Sequence, residues 1–345
     1  MCPFNAQPGS CVVREHAPCV QDNVENRKEG LPEVMEAEAT KLLVSGPRRL
    51  TLVAAVVVLF GGLSAGWATI GTQQRRWIFQ AMPVPPASSD ELARLARTQE
   101  MESVWIEHES LAAGRPIRLH AVFAPNADAH APLLLFLHGA RQNLGRSAFR
   151  IEQMRELGFS VLAVDYRGFG ASTDEPPSEI GVIEDAAAAW RWLGEHHPGK
   201  PRYVFGHSLG GAIAVQLAAA LADAPAAEAP KGVMVEGTFT SIRDMFGTFK
   251  WGWLPISMLI TERFDSLATV PRIKAPLLIV HGSQDSIVPS RFGQLLYEHA
   301  TAAKRFILVD GGTHSTTSWR GVEQYRAALR EFFHIGAPAS TANGS

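Results

Sequence analysis

Cysteine is nearly absent from this sequence, and its few occurrences are confined to one end. Cys2, Cys11 and Cys19 lie within the first 19 of 345 residues, and no cysteine follows them. A folded domain built from the rest of the chain therefore contains no disulfide and no cysteine-based metal site. We interpret the three cysteines as incidental thiols of a polar tail, with lipid attachment or metal binding as the alternatives.

An excess of charge of either sign is also missing. The 32 basic and 34 acidic residues leave a net charge of −2, and charged residues make up only 19% of the chain. Without a basic excess or a basic stripe, binding to nucleic acid is not expected. Apolar residues make up 46%, which excludes a largely disordered chain and predicts a large hydrophobic core. No internal repeat is visible, so we expect one large domain with an appendage.

Charged residues are entirely lacking between Leu50 and Thr72. As a helix, these 23 residues would be about 34 Å long, enough to cross a hydrocarbon layer of about 30 Å. We therefore predict a single transmembrane anchor at 50–72. A cleaved signal peptide, with a small-residue cleavage pattern at Gly66-Trp67-Ala68, is one alternative, and a buried core helix is the other.

Basic residues flank this apolar run on both sides and bear on its orientation. Lys41, Arg48 and Arg49 precede it, whereas Arg75 and Arg76 follow it. Because cytoplasmic flanks carry the greater number of Lys and Arg residues, the N-terminus is expected in the cytoplasm. We therefore expect a single-pass membrane protein with its large domain on the non-cytoplasmic side, a prediction that depends on one charge.

The remaining segments differ in composition and divide the chain. Residues 1–49 are polar and lack periodicity, so we predict a disordered tail, in which Met35 is an alternative translation start. Residues 73–100 contain several prolines and serines and predict a linker. Regular patterning over 101–336 predicts one α/β domain, and the small polar residues of 337–345 predict a second disordered tail.

Short strands alternate with helical segments in the predicted domain. Two runs with period-two alternation, 102–110 and 116–125, predict an antiparallel hairpin. The later runs are apolar throughout, as in parallel strands covered on both faces, and helical spacing separates them. We therefore predict a doubly wound α/β sheet. The apolar runs are 132–137, 159–164, 202–205, 232–235, 276–280 and 305–309.

The segment Ser241–Leu267 interrupts this alternation. It is rich in large apolar residues, among them Phe246, Trp251 and Trp253, and is too long for a plain connection. Two interpretations stay open. The segment packs as helices against the sheet, or it forms a lid or an acyl-binding surface over an active-site mouth.

A G-x-S-x-G motif occupies residues 206–210. It follows the predicted strand 202–205 and precedes a predicted helix at 209–221, the context in which this motif forms a tight nucleophile elbow. Glycines at both ends of the motif remove side chains that would collide with the neighbouring strand and helix. The turn would hold the Ser208 hydroxyl at the edge of the sheet beside a helix N-terminus, so we predict Ser208 as a nucleophile.

A serine nucleophile needs a base, and the elbow context requires an acid and then a histidine downstream, each after a strand. Asp285 follows the predicted strand 276–280, and His314 follows the predicted strand 305–309. We predict His314 as general base and then acid, and Asp285 as the group that orients its imidazole and stabilises the imidazolium. Together with Ser208 they form a predicted catalytic triad.

An oxyanion intermediate needs two backbone N–H donors. The residue after the nucleophile, Leu209, is one predicted donor. The other is expected in the loop after strand 132–137, where Ala140 follows His138-Gly139. Asn143 either braces this loop or caps the helix that comes next.

Other titratable residues lie beside these motifs and are weaker candidates. His138, His207 and His281 could serve as the base, but their positions suit local hydrogen bonding. Asp265 and Asp310 could serve as the acid, although Asp310 lies close to His314 at an unsuitable place in the turn.

Taken together, these motifs resemble the α/β-hydrolase superfamily, and more narrowly the membrane-anchored Bem46-like group of α/β-hydrolase domain serine hydrolases. The resemblance covers residues from about 130 to 318. The segments that carry it are LLLFLHGARQN, VLAVDYRGFGAS, VFGHSLGGAIA, VEGTFTSIRDM, FDSLATVPRIKAPLLIVHGSQDSIVP and VDGGTHS.

This resemblance implies an α/β-hydrolase fold, with a mostly parallel eight-stranded sheet flanked by helices and preceded by an N-terminal transmembrane helix. It also implies a serine-hydrolase triad, which falls on Ser208, Asp285 and His314, and acyl-ester hydrolysis as the class of reaction. The loop from His138 to Asn143 departs from the shorter small-residue loop of many relatives at Arg141 and Gln142, which lie where the entrance to the acyl site is expected.

The predicted function is therefore that of a serine esterase, lipase or acyl-thioesterase that forms an acyl-enzyme on Ser208. The expected substrate is a small-molecule or lipid acyl ester, or an acylated protein, and no cofactor or metal is expected. Haloalkane dehalogenases of the same fold have a carboxylate at the nucleophile position. Because this sequence has Ser208 there, that activity is excluded. A serine peptidase of the same fold, a non-catalytic binding scaffold and a membrane-recruiting adaptor are the alternatives.

Overall fold

A computed structural model describes residues 57–59, 69–81, 101–249 and 259–335. The chain divides into two compact units, Met1–Ser64 and Ala65–Ser345, and every element below belongs to the second unit. Several predicted segments lie wholly or mostly outside the described residues and stay predictions: the tail at 1–49, the anchor at 50–72, the later part of the linker at 82–100 and the tail at 337–345.

Within the described parts of the chain, no helix is both long enough and apolar enough to span a bilayer. The linker prediction is partly wrong, because residues 69–79 form a helix, α1, that packs on the domain. Phe79 has no exposed surface, and the Arg75 guanidinium pairs with Glu262 at 2.7 Å. Residues 73–81 are therefore part of the folded unit rather than a spacer.

The second unit is built on one sheet of eight strands, flanked by helices. The strands are β1 (Glu102–Ser110), β2 (Arg115–Ala124), β3 (Leu133–Leu137), β4 (Ser160–Val164), β5 (Arg202–His207), β6 (Gly232–Glu236), β7 (Leu277–Gly282) and β8 (Lys304–Val309). The helices after α1 are α2 (Leu144–Glu156), α3 (Glu179–His196), α4 (Leu209–Ala220), α5 (Ile242–Gly247), α6 (Ser266–Thr269), α7 (Arg291–His299), α8 (Thr317–Arg320) and α9 (Val322–Phe332), with a 3₁₀ turn at Val270–Arg272.

The strand order is β1-β2-β4-β3-β5-β6-β7-β8. Strand β2 runs antiparallel to both of its neighbours, and every pair from β4 to β8 is parallel. The mostly parallel eight-stranded sheet expected from the sequence is thus confirmed. This order places β5, and with it the G-x-S-x-G turn, between β3 and β6 near the middle of the sheet.

Both faces of the sheet are covered, which explains why the central strands are unbroken apolar runs in the sequence. Leu133, Leu135 and Leu137 of β3 join one hydrophobic cluster. Leu134 and Phe136, which alternate with them, join a second cluster on the opposite face. All five side chains are at most 1% exposed. A strand with apolar side chains on both faces belongs in the covered middle of the sheet, because a packed layer of side chains lies against each face there.

The segment Ser241–Leu267 begins with a short helix and ends as α6 begins. Ser241 caps α5 by accepting a hydrogen bond from the N–H of Asp244 at 3.0 Å. Residues 250–258 lie outside the described part of the chain. The choice between helix packing and a lid therefore stays open for this segment.

Candidate active site

Ser208 occupies a strained turn between β5 and α4. Its φ of +55° and ψ of −119° lie in a region that non-glycine residues rarely adopt. Four hydrogen bonds hold this backbone. The Ser208 N–H donates to the Glu236 carbonyl at 2.8 Å, and the Ser208 carbonyl accepts from Gly211 N–H and Thr238 Oγ1 at 2.9 Å each and from Ala212 N–H at 3.4 Å. The neighbouring strand β6 thus fixes the conformation in which the serine projects from the sheet edge.

Close packing around the turn requires the two glycines of the motif. A Cβ atom built on Gly206 would overlap the backbone carbonyl of Gly210. A Cβ atom on Gly210 would overlap the backbone carbonyl of Leu137 at the end of β3. The obstructing atoms belong to the main chain and cannot rotate away, so both positions accept only glycine, for the steric reason expected from the sequence.

We expect Gly210→Ala to lower the free energy of unfolding by about 3 kcal/mol or more, because the new methyl group displaces backbone in a packed region. Urea unfolding followed by circular dichroism measures this change. Gly247→Ala is the matched control: no atom lies within 4 Å of its added Cβ, so a change within about 1 kcal/mol is expected. Equal stability of the two variants would contradict the steric argument.

His314 and Asp285 lie together at the carboxyl ends of β8 and β7. His314 Nδ1 is 2.8 Å from Asp285 Oδ2. The other carboxylate oxygen, Oδ1, accepts from the N–H groups of Ile287 at 2.9 Å and Val288 at 2.8 Å. The Asp285 side chain is 1% exposed and that of His314 13%. We call His314 and Asp285 the dyad. The backbone N–H groups fix the carboxylate, the carboxylate orients the imidazole, and the far edge of the imidazole is partly exposed to solvent.

The pKa of the Asp285 carboxyl reflects this setting. Burial alone would raise the pKa, but the imidazoles of His281 and His314, together with the N–H of Val288, hold it well below its usual range. The carboxylate is consequently ionised over the whole neutral range. An ionised acceptor keeps the proton of the neutral His314 ring on Nδ1 and leaves Nε2 with a lone pair.

Residues 236 and 237 connect Ser208 with the dyad. The Glu236 carbonyl accepts the Ser208 N–H, and a Cβ atom on Gly237, whose φ is +57°, would lie 3.3 Å from His314 Nδ1. The three residues predicted as a triad therefore border the same short turn after β6. Among the described residues, the hydrogen bonds of His314 run to Asp285 and His207, and none joins it to the Ser208 hydroxyl.

Two backbone N–H groups beside Ser208 have no acceptor among the described residues: those of Leu209 and Ala140. Leu209 is the first residue of α4, where helix geometry leaves N–H groups free. The loop that carries Ala140 is close, because a Cβ atom on Gly139 would lie 3.1 Å from Ser208 Cβ. Both predicted oxyanion donors are thus adjacent to the serine and are not engaged elsewhere.

A buried polar network lies beneath the site and was not anticipated from the sequence. Glu236, with no exposed surface, accepts a hydrogen bond from the Tyr325 hydroxyl at 2.6 Å and lies 3.4 Å from the Arg150 guanidinium. His207 Nε2 lies 3.1 Å from Arg150 Nη2 and 3.0 Å from the carbonyl oxygen of His314. This network links the elbow to the backbone of the residue predicted as the base.

The electrostatics of the network make His207 a neutral group. Burial, and then the positive charge of Arg150 and the neighbouring imidazole of His314, hold the pKa of His207 well below its usual value. Its ring contacts that of His314 at a centroid distance of 4.9 Å. His207 therefore serves local hydrogen bonding, as expected, and is placed to hold the main chain of His314.

The weaker candidates have other partners. His138 Nδ1 and His281 Nε2 lie 2.8 Å and 2.9 Å from backbone carbonyl oxygens, and His281 Nε2 also lies 3.5 Å from Asp285 Oδ2. Asp265 caps α6 by accepting from a backbone N–H at 3.1 Å, and Asp310 lies 3.3 Å from a serine hydroxyl. Asn143 caps α2, so its role is that of a helix cap rather than a brace.

The loop that carries Ala140 is tied to helix α1, a contact that the linker prediction missed. Arg141 has a φ of +61°, its N–H donates to the Phe79 carbonyl at 3.2 Å, and its guanidinium Nε donates to Gln80 Oε1. Phe79 is fully buried and meets Phe264 edge to face at a centroid distance of 5.9 Å. The apolar pair Ile78-Phe79 after a charged stretch was the sequence feature that could have indicated this packing.

Known proteins are similar to this chain over half of its length or more. The family model described as serine aminopeptidase, S33, matches residues 128–267. The α/β-hydrolase domain-containing protein WAV2 of Arabidopsis thaliana is 31% identical over 320 residues, covering 84% of this chain and 97% of that protein. The lysophosphatidylserine lipase ABHD12 of Danio rerio is 32% identical over 188 residues, which cover 50% of this chain and 48% of the lipase.

Solved structures are similar in fold. The esterase Pf2001 of Pyrococcus furiosus superposes with a TM-score of 0.55 at 20% sequence identity, over 69% of this chain and 94% of the esterase. At this identity the likeness concerns the arrangement of strands and helices.

Proposed function

Because the chain belongs to the α/β-hydrolase superfamily, among proteins of the α/β-hydrolase-domain type, we propose that it is a serine hydrolase that cleaves carboxylic esters or thioesters through an acyl-enzyme on Ser208. The observation that carries this proposal is the pairing of a strained Ser208 elbow with an oriented His314–Asp285 dyad at the same turn. Esterases and lipases among the similar proteins support the ester class of substrate.

In the proposed first step, Ser208 Oγ attacks the carbonyl carbon and its proton passes to His314 Nε2. The Asp285 carboxylate stabilises the imidazolium that forms. The carbonyl π-electrons move onto oxygen, and the N–H groups of Leu209 and Ala140 stabilise that oxyanion. When the tetrahedral intermediate collapses, the bond to the leaving alcohol or thiol breaks and His314 returns the proton to it.

The second step reverses the roles. A water molecule gives one proton to His314 Nε2 while its oxygen attacks the acyl carbon on Ser208. Collapse releases the carboxylic acid and returns the proton to Ser208 Oγ. His314 gives back each proton within the half-reaction in which it takes it, so the two steps balance with only the ester and water as reactants.

A lipid is the acyl donor we propose, with acylated proteins as the wider class. The similarity to a lysophosphatidylserine lipase favours a lipid ester. The uncharged run at 50–72 favours attachment to a membrane as a single-pass protein, with the catalytic domain on the non-cytoplasmic side. Both points are part of the proposal.

The experiment that tests this function is labelling with a fluorophosphonate probe. We expect the full-length protein in detergent to bind one equivalent of probe, with the adduct on the peptide that contains Ser208, and to hydrolyse p-nitrophenyl butyrate. Ser283→Ala, which removes an exposed serine near the same sheet edge, is the control and should label like the parent chain. An adduct on any other serine would contradict the assignment.

A peptidase is the alternative that the family model's description favours. Turnover of an aminoacyl-p-nitroanilide and of p-nitrophenyl butyrate by the same preparation separates the two activities. We expect kcat/KM for the ester to exceed that for the amide at least tenfold. The reverse ratio would assign the protein to the peptidases.

A further inference from the structure

An apolar groove lies between α1 on one side and α5 with Leu259 and Ile260 on the other. Its volume is about 410 Å³, within the range of roughly 300–1,000 Å³ that small-molecule sites occupy. No charged side chain is among its described lining residues. The main contributors are Ile70, Trp77 and Ile78 from α1, Ile242 and Phe246 from α5, and Leu259.

The wall formed by α1 is fixed to the opposite wall by polar contacts, one of them from Gln74, which itself lines the groove. Gln74 spans the gap to the opposite segment: its Nε2 donates to the Leu259 carbonyl at 2.6 Å, and its Oε1 accepts from Thr261 N–H at 3.0 Å. The pair between Arg75 and Glu262 adds a second tie at 2.7 Å. The groove is therefore a preformed feature rather than a gap between loosely packed elements.

Large apolar side chains on the groove are left open to solvent. Trp77 is 50% exposed, Ile70 39% and Leu259 36%. Because contiguous exposed apolar surface is unfavourable in water, such surface usually contacts a ligand or another apolar phase. Because no described lining residue is charged, the groove offers no ion pair to a phosphate, and its large apolar side chains favour a hydrocarbon.

The two ends of α1 indicate where the groove runs. Thr69 and Ile70 line it and belong to the uncharged run 50–72, the predicted membrane segment. At the other end, Ile78 precedes Phe79, whose carbonyl holds Arg141 next to the predicted oxyanion donor Ala140. One wall thus begins at the predicted membrane segment and ends beside the candidate site.

The other wall reaches the same site. Helix α5 begins at Ile242, five residues after Gly237, which borders His314. A short chain segment therefore joins the groove lining to the turn beside the imidazole. An acyl chain with its carbonyl near Ser208 would have this groove as the adjacent apolar surface.

We propose that this groove binds the acyl chain of a lipid ester, with the carbonyl end toward Ser208 and the methyl end toward Ile70. The proposal rests on the serine-hydrolase function given above and adds the part of the molecule that selects long chains. Each methylene group buried in the groove contributes about 0.8 kcal/mol, or about fourfold in kcat/KM.

The test compares chain lengths in three proteins. Rates for p-nitrophenyl esters from butyrate to palmitate are measured with the full-length protein, with Leu259→Glu, which introduces a charge into the groove, and with Leu111→Glu. Leu111 is 94% exposed in the β1–β2 loop, so it is the matched apolar-to-acidic control. We expect the ratio of kcat/KM for palmitate over butyrate to fall at least tenfold in Leu259→Glu and to be unchanged in Leu111→Glu.

A second variant guards against a folding defect in Leu259→Glu, and a binding measurement tests the groove without relying on turnover. Ile70→Gln, at the other end of the groove, should lower the same ratio in the same direction. Binding of a non-hydrolysable hexadecyl ether lysophospholipid to Ser208→Ala should be weakened at least tenfold by adding Leu259→Glu, with thermal unfolding used to show that the variant is folded.

The outcomes separate the groove from the proposed function. If the protein hydrolyses butyrate but neither Leu259→Glu nor Ile70→Gln changes the palmitate-to-butyrate ratio, the groove does not bind the acyl chain. The proposed serine-hydrolase function would then be unaffected. If the protein hydrolyses no ester but binds the hexadecyl ether, and Leu259→Glu abolishes that binding, the result would support the groove as a lipid site and contradict the proposed reaction. Concentration-dependent dimers that Leu259→Glu dissociates, with no effect on chain length, would assign the surface to a second copy of the chain and overturn the proposal.

Discussion

Ser208→Ala is expected to lower kcat for p-nitrophenyl butyrate by about a million-fold, because removal of the nucleophile disables the triad as a unit. What rate remains comes from the oxyanion donors and from substrate binding, which the substitution does not touch. The turn itself should persist, since the four hydrogen bonds to the backbone of residue 208 involve no Ser208 side-chain atom. Steady-state kinetics with long incubations measure this difference.

The control for this prediction is Ser283→Ala, whose hydroxyl interacts with Asp310 and the N–H of Gly311 rather than with the dyad. Its kcat should stay within about twofold of the parent. A Ser208→Ala protein that keeps more than a tenth of the parent kcat would show that another group is the nucleophile. Such a result would leave the fold unaffected and remove the acyl-enzyme mechanism.

Asp285→Asn is the second substitution with a very large expected effect, a decrease in kcat of about ten-thousandfold. The carboxylate accepts from His314 Nδ1 at 2.8 Å, whereas an amide in the same place can donate to that nitrogen. Donation would move the ring proton to Nε2, and the imidazole could then no longer take a proton from Ser208. Because the substitution conserves shape, KM should change far less than kcat.

Two other aspartates serve as controls for this second prediction. Asp310→Asn and Asp265→Asn remove the competing candidates, one beside Ser283 and the other at the cap of α6. Each should keep kcat within about threefold of the parent. If Asp310→Asn lost activity as strongly as Asp285→Asn, the assignment of the orienting acid would have to be revised.

Much of the fold could be predicted from local pattern. The five residues of β3 are all apolar, which is the signature of a strand covered on both faces, and the observed strand starts one residue later than predicted. Strand β5 runs two residues further than expected, to His207, because the elbow continues the ladder with β6 up to the pair His207 and Glu236. Here main-chain pairing, which side-chain patterning does not report, sets the end of the strand.

The parts that escaped prediction depend on contacts between distant residues. Arg150 contacts Glu236, which lies 86 residues further along the chain. The residues around each position give no indication of this buried partner. Helix α1 spans the end of the predicted anchor and the start of the predicted linker, and the linker prediction rests on the prolines and serines that follow residue 82. Only the docking of Gln74 and Arg75 on a segment more than 180 residues away shows that these side chains face protein.

The tie between α1 and the loop after β3 has a consequence for how the chain can be divided. A protein that began at residue 82 would keep Ser208, Asp285 and His314, yet it would lose the carbonyl that anchors Arg141 and one whole wall of the apolar groove. The eleven helical residues 69–79 are thus a structural part of the domain that carries the candidate site, and their removal would open the groove along its whole length.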